Sequence, residues 1–266
     1  MVSGAGRLGH DGRVTSRAVL VTGASRGIGR AVATRFAAGG DRVAIHHRGS
    51  GELAERLRAE LPGDGHVVVR ADLADPEAVR VMVDDAAARL GGLDVLVNNA
   101  GVYGERNTPH PVFGASYADW QRRWRLVLET NLTGAANVTW CAAQHMRGRG
   151  GRVVNVSSRG AFRGEPEQPA YGASKAGLNA LGQSLAVALA PYGIAVATVA
   201  PGFVETDMTT EHLAGESGAA IRAQSPFGRV ARPEEVAAAV HWLASAEAEW
   251  ASGTVVDLNG ASYLRT

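Results

Sequence analysis

"AVLVTGASRGIGRAVA", residues 18–33, is the stretch on which the fold turns. It begins with an apolar run, Ala18 to Val21, continues through Gly23, Gly27 and Gly29 in the spacing GxxxGxG, and ends in residues with helical spacing. Strand, glycine turn and helix start, in that order, open a βαβ unit of the dinucleotide-binding type. Glycine has no Cβ, so the backbone turns tightly and approaches a pyrophosphate closely. A helix that starts near Gly27 directs its free N–H groups and the positive end of its dipole at the phosphates.

The pattern repeats along the chain. Short β-branched runs recur as "AVLVTG", "RVAIHH", "HVVVRA", "LDVLVNNAG", "GRVVNVSS", "IAVATVAPG" and "GTVVDLNG". Between them lie longer Ala-, Leu- and Arg-rich stretches with helical spacing, such as 27–38 and 75–90. Runs that are apolar on both faces and separated by helices indicate a parallel sheet covered on both sides. The expectation is one α/β domain, residues 17–266, with a doubly wound, Rossmann-type, seven-stranded parallel sheet. Right-handed crossovers place the strand C-termini, and so the ligand, along one edge. Two stretches, 101–120 and 202–233, show no clear helix or strand pattern and follow strands at that edge, where long loops contact substrate or act as lids.

Composition narrows the function classes. The 266 residues are 45% hydrophobic, enough for a full core, and carry a formal charge of +1, which argues against a nucleic-acid binder. The single cysteine, Cys141, lies in an apolar stretch and reads as buried; with no disulfide possible, a reducing compartment and a cytoplasmic protein are expected. No apolar run reaches the ~20 residues of a membrane span, and residues 1–17 lack an apolar signal core. Residues 1–16 read as a polar, Gly-rich, disordered tail.

The end of the second run bears on the choice of dinucleotide. NAD binders place Asp or Glu there for the ribose 2′-hydroxyl. This chain has His46, His47 and Arg48, with no carboxylate before Glu52, and Arg26 projects from the glycine turn. Two guanidinium groups beside that ribose favour a 2′-phosphate, and so NADP(H) over NAD(H).

Tyr171 and Lys175 stand four residues apart in "YGASKAGLNALG", which puts them on one helix face. Lys175 is the only lysine; the other 26 cations of the Lys and Arg total are arginines. Ser158 ends the run "GRVVNVSS", and Asn131 lies in "LETNLTG", inside the helix before it. A free tyrosine titrates near ~10, and bringing it to neutrality takes ~4 kcal/mol of preferential phenolate stabilisation, which a nearby cation supplies. Ser158 is placed to hydrogen-bond a substrate oxygen and hold it near the Tyr171 hydroxyl.

Taken in order, "TGASRGIG" (22–29), "ADL" (71–73), "NNAG" (98–101), Asn131, Ser158, "YGASK" (171–175) and "PGFVETDM" (201–208) resemble the short-chain dehydrogenase/reductase family over about residues 17–263. Within it the sequence is most similar in type to the 3-oxoacyl-acyl-carrier-protein reductases. The resemblance implies a nicotinamide-dependent carbonyl reductase or alcohol dehydrogenase. It assigns Tyr171 as acid/base, Lys175 as its activator, Ser158 as carbonyl orienter and Asn131 as the relay member that positions a water. It also implies cofactor contacts: Gly23, Ser25, Arg26, Gly27, Ile28 and Gly29 in the turn and Arg48 beside it. Further along, Asp72 and Leu73 meet the adenine, Asn99, Ala100 and Gly101 the ribose, and Pro201, Gly202, Val204 and Thr206 the carboxamide, with Tyr171 and Lys175 also touching the cofactor. Members assemble as dimers or tetramers through helices matching 119–146 and 171–191, so a homo-oligomer is implied.

The substrate is left open between a 3-oxoacyl thioester and another secondary alcohol, such as a sugar or a cyclic or steroid-like alcohol. Tyr103, Phe113, Phe162, Phe203, Met208 and Leu213 stand in the loops beside Arg159, Arg163, Glu165, Glu167, Glu205 and Asp207, a mixture that suits either. "QRRWR" (121–125) and "RGRG" (147–150) form a solvated basic face or a docking site for an acidic carrier protein. A non-catalytic NADP(H) sensor on this fold would lack one of the four catalytic groups, and all four are present. His46, His47, His66, His110, His145, His212 and His241 show no metal-ligand spacing and read as structural or surface residues. Trp120, Trp124 and Trp140 read as core or subunit-interface residues.

Overall fold

Each of the seven apolar runs forms a strand in the computed structural model, which describes residues 16–103, 109–210 and 213–265. They are β1 (Ala18–Val21), β2 (Arg42–His47), β3 (Val67–Arg70), β4 (Val95–Asn98), β5 (Gly151–Val156), β6 (Ile194–Pro201) and β7 (Val255–Leu258). All pair in parallel in one sheet ordered β3-β2-β1-β4-β5-β6-β7. The order reverses between β1 and β4, and the crevice outside their C-terminal ends is where such sheets bind ligands. The expected doubly wound α/β fold is therefore present.

The helices are α1 (Gly27–Ala38), α2 (Gly51–Glu60), α3 (Pro76–Leu90), α4 (Tyr117–Leu128), α5 (Gly134–Met146), α6 (Gly160–Arg163), α7 (Pro169–Leu189), α8 (Gly215–Ala223) and α9 (Pro233–Leu243). Local chemistry explains their starts. Asp75 caps α3 by accepting from the Glu77 and Ala78 amides at 3.0 and 3.1 Å, and Pro76 fills the first position, where no N–H is needed. Alternate residues of each central strand then serve opposite faces. Val19, Val21 and Ile45 pack with Phe36 of α1 and Val240 of α9; Leu20 and Leu96 pack with Met82 of α3 and Met146 of α5. Residues on both faces are close to fully buried, which explains the unbroken apolar runs. Cys141 is buried in the second layer, as expected.

Three features differ from the sequence reading. The stretch 202–233 contains α8, whose Gly215 and Gly218 dilute the helical pattern of Ala219 to Ala223. A further short helix, α6, follows Ser158. The helix expected around Asn131 is interrupted by a π-helical turn, Glu129–Thr133, between α4 and α5. The expected tail falls, apart from Ser16, outside the described residues, as does His212. Among the described residues no helix is long and apolar enough to cross a membrane.

Candidate active site

A cleft of about 410 Å³ lies over the C-terminal ends of β1, β2, β4, β5 and β6. Of the cofactor contacts implied by resemblance, Gly29 alone stays out of its lining. The turn after β1 is built to take an anion. Arg26 is the N-cap of α1 but supplies no side-chain cap, so among the described residues the first N–H groups of that helix are left for an anion. Gly27 has φ +55°, and a Cβ there would stand 3.3 Å from Thr206 Cγ2 across the cleft. Arg26 and Arg48 are both exposed and both line this end. The residues present thus fit a dinucleotide phosphate.

The turn is held from beneath by contacts between segments far apart in the chain. The Asn99 amide donates to the carbonyls of Thr22 and Gly23 at 2.9 and 3.1 Å, and Thr22 Oγ1 accepts from the Asn99 and Ala100 main-chain N–H groups, both at 3.0 Å. Ser25 and Ser50 join hydroxyls at 2.8 Å, tying the turn to the loop after β2. Asn98 reaches backwards, its amide donating to Thr139 Oγ1 and Asn155 Oδ1 at 2.8 and 3.0 Å.

His46 has a role that sequence reasoning missed. Its Nδ1 accepts from the Gly23 N–H at 3.0 Å and its Nε2 lies 3.2 Å from the Ala71 carbonyl, which requires a neutral ring protonated at Nε2. Burial pushes its pKa down from 6.5 to about 4. The unfolded chain therefore takes up this proton first as the pH falls, so the neutral bridge stabilises the fold above pH 6.5 and that stability is lost toward pH 4. The expected loss across the window is about 3 kcal/mol. Urea unfolding of the parent and His46→Gln at several pH values checks this: the parent should lose stability more steeply, and equal slopes would refute the role.

The four candidate catalytic residues stand near one end of the cleft. Tyr171 and Lys175, on the inward face of α7, are both buried, with the Lys175 ammonium 5.8 Å from the Tyr171 ring centroid. Lys175 Nζ donates to the Val156 carbonyl at 2.8 Å. Ser158 accepts from the Gly160 amide at 3.0 Å and hydrogen-bonds the Tyr171 hydroxyl. Tyr103 also bonds that hydroxyl, its ring centroid 4.1 Å from that of Tyr171.

Asn131 sits in the π-helical turn, with its side chain fully engaged. Its Oδ1 accepts from the Val102 amide at 2.8 Å, and its Nδ2 donates to the Val102 carbonyl and Ser174 Oγ at 2.9 and 3.1 Å. The side chain pins the loop after β4 to α7, with both amide hydrogens in use.

The electrostatics differ from the sequence expectation. Tyr171 is pushed well above its usual value, chiefly by burial and then by Tyr103, while the bond from Ser158 pulls it down. Lys175 does not offset this, because burial lowers its own pKa to about 8 and its ammonium points at Val156. Glu165 is also pushed up by burial, an effect opposed by Arg163 and Arg159.

The family model described as enoyl-(acyl carrier protein) reductase matches residues 23–260. The chain is 36% identical over 252 residues to the 3-oxoacyl-acyl-carrier-protein reductase FabG of Staphylococcus aureus, covering 94% of this chain and 99% of that one. It is 39% identical over 247 residues to the cis-4-hydroxycyclohexanecarboxylate dehydrogenase of Sinomonas cyclohexanicum, covering 92% and 95%. A short-chain dehydrogenase from Burkholderia cenocepacia, solved in complex with NADP, superposes with a TM-score of 0.82 at 35% identity, covering 92% of this chain and 97% of that one.

Proposed function

The chain belongs to the short-chain dehydrogenase/reductase family of oxidoreductases, and on that premise we propose that it interconverts a ketone and a secondary alcohol with NADP(H). The observation that carries this reading is the meeting of Tyr171, Ser158 and Lys175 at one end of a cleft whose other end offers uncapped helix N–H groups and two arginines. When bound, NADP(H) supplies or accepts the hydride, and its oxidised form adds a positive charge beside the phenol.

Reduction suits the site as it stands. Ser158 donates a hydrogen bond to the carbonyl oxygen and holds it next to the Tyr171 hydroxyl. Tyr171, kept neutral by burial, is in the form that gives a proton to the forming alkoxide. Lys175 replaces that proton, its own pKa of about 8 leaving it able to exchange near neutrality. The Asn131 main chain positions the water from which Lys175 is recharged. Oxidation of an alcohol needs the phenolate instead, which burial disfavours, so it gains on raising the pH.

For the substrate, similarity to the 3-oxoacyl-acyl-carrier-protein reductase supports a 3-oxoacyl thioester, with the basic 121–125 face as the carrier contact. Similarity to the hydroxycyclohexanecarboxylate dehydrogenase supports the second reading, a small secondary alcohol with polar substituents. Acetoacetyl thioesters assayed against sugars and cyclic ketones, with NADPH and NADH, separate the two; no turnover of any ketone would refute the enzyme reading.

Arg48→Ala should lower kcat/KM for NADPH about 10-fold, the loss of one charge-assisted bond, and leave NADH within about 2-fold. A parent enzyme with higher kcat/KM for NADH would overturn the cofactor choice. The reading includes a cytoplasmic homo-oligomer, dimer or tetramer, supported by the exposed apolar residues Trp140 on α5 and Val187 on α7.

A further inference from the structure

Behind the wall that carries Ser158 lies a second cavity, of about 300 Å³, that shares no lining residue with the cofactor cleft. The chain alternates between the two spaces. Ser158, Gly202 and Val204 face the cleft, while Arg159 and Phe203 face the second cavity. The wall is pinned by the Arg159 amide, which donates to the Pro201 carbonyl at 2.7 Å.

Arg159 is a buried cation, 4% exposed, whose hydrogen-bond partners among the described residues are neutral. Its guanidinium donates to Ser262 Oγ at 2.6 Å and Gln224 Oε1 at 2.9 Å and lies 5.2 Å from the Phe203 ring centroid. Arg163 directs a second guanidinium at the same Gln224 oxygen, at 3.3 Å. Two cations thus converge on one amide oxygen, where a carboxylate would be favoured. Glu165, whose charge is felt by both arginines, packs against Gly160 and forms no ion pair within 4 Å with either among the described residues. At the rim, Glu235 is held by Arg229 through bonds of 2.7 and 2.8 Å, so it adds no free negative charge. The remaining walls are largely apolar, with Phe203, Ile221, Val236 and Leu258.

A mostly apolar cavity with one buried cation suits an amphipathic anion. We propose that this cavity binds a small organic carboxylate, its head on Arg159 and its apolar body against Phe203, Ile221 and Leu258. Because the wall is one residue thick, an occupant presses on the backbone that presents Ser158 and so acts on turnover. The wall separates this cavity from the cleft, so the carboxylate belongs to a separate ligand.

The test uses hexanoate and its neutral counterpart hexanamide, titrated calorimetrically into the NADPH-saturated protein. Hexanoate should bind saturably and hexanamide at least about 10-fold more weakly. Arg159→Gln should weaken hexanoate at least about 10-fold while NADPH still binds, and Ile221→Trp, which fills the cavity and leaves the charge, should do the same. In the ketone assay, hexanoate that lowers kcat and leaves KM unchanged supports a separate ligand. Hexanoate that only raises KM would place it in the cleft and overturn the proposal. No binding, equal binding of the amide, or binding unaltered in both variants would overturn the proposal.

Discussion

Lys175→Arg should give a folded protein that binds NADPH and loses about 10²- to 10⁴-fold in kcat at neutral pH, the range associated with losing a positioned proton-transfer group. Arginine is this chain's ordinary cation, so the exchange keeps the charge and changes only shape and acidity. Lys175 is 4% exposed and reaches the Val156 carbonyl through a slim stem. A planar guanidinium is wider and cannot occupy that space without moving Tyr171 or the loop after β4. It also stays protonated, whereas burial brings Lys175 to about 8, where it gives and regains a proton close to neutrality. Steady-state kcat, read beside NADPH affinity, decides the matter. Near-normal turnover would mean that a lysine at 175 is an accident of composition.

Gly29→Ala should weaken NADPH binding about 100-fold and destabilise the fold by about 1–3 kcal/mol, as overpacking does. The added Cβ would run into the Gly23 carbonyl oxygen, stand 2.5 Å from Asn99 Nδ2 and lie 2.9 Å from the Ala24 Cα. Two of these three atoms are backbone of the phosphate turn, so α1 must lift away from it. The third belongs to the amide that holds Thr22 and Gly23. Gly51→Ala is the control, because it lies outside the cleft lining and its added Cβ makes only ordinary contacts, 3.4 and 3.7 Å, with the His47 ring. Thermal unfolding of the two variants, with NADPH titration of each, makes the comparison. Equal behaviour would show that Gly29 is replaceable and that the turn is held by other means.

Where local pattern carried the information, the sequence was readable. The spans of α1 and α3 followed from residues with helical spacing, and the glycines marked the start of α1. The strands followed from β-branched runs that have to be buried on both faces. Arg26 and Arg48 reach the cleft because the turns that carry them are local. α8 escaped notice because two glycines and a short length leave too few periodic positions. Tyr103 was legible as a loop aromatic, and its bond to Tyr171 was not.

By itself, the sequence determined the order of elements, the class of sheet and which residue types arrive at its ligand edge, since propensity and periodicity act over a few neighbours. Tertiary structure alone decided what those residues do on arrival. Asn131 spends its amide on Val102, 29 positions away, and His46 joins Gly23 to Ala71 across 23 and 25 positions. Tyr171 is driven up rather than down because burial, which depends on the whole packed core, outweighs a cation one helical turn away. Arg159 looks like any surface arginine in the chain, and only folding leaves it buried beside a cavity with a neutral amide for company.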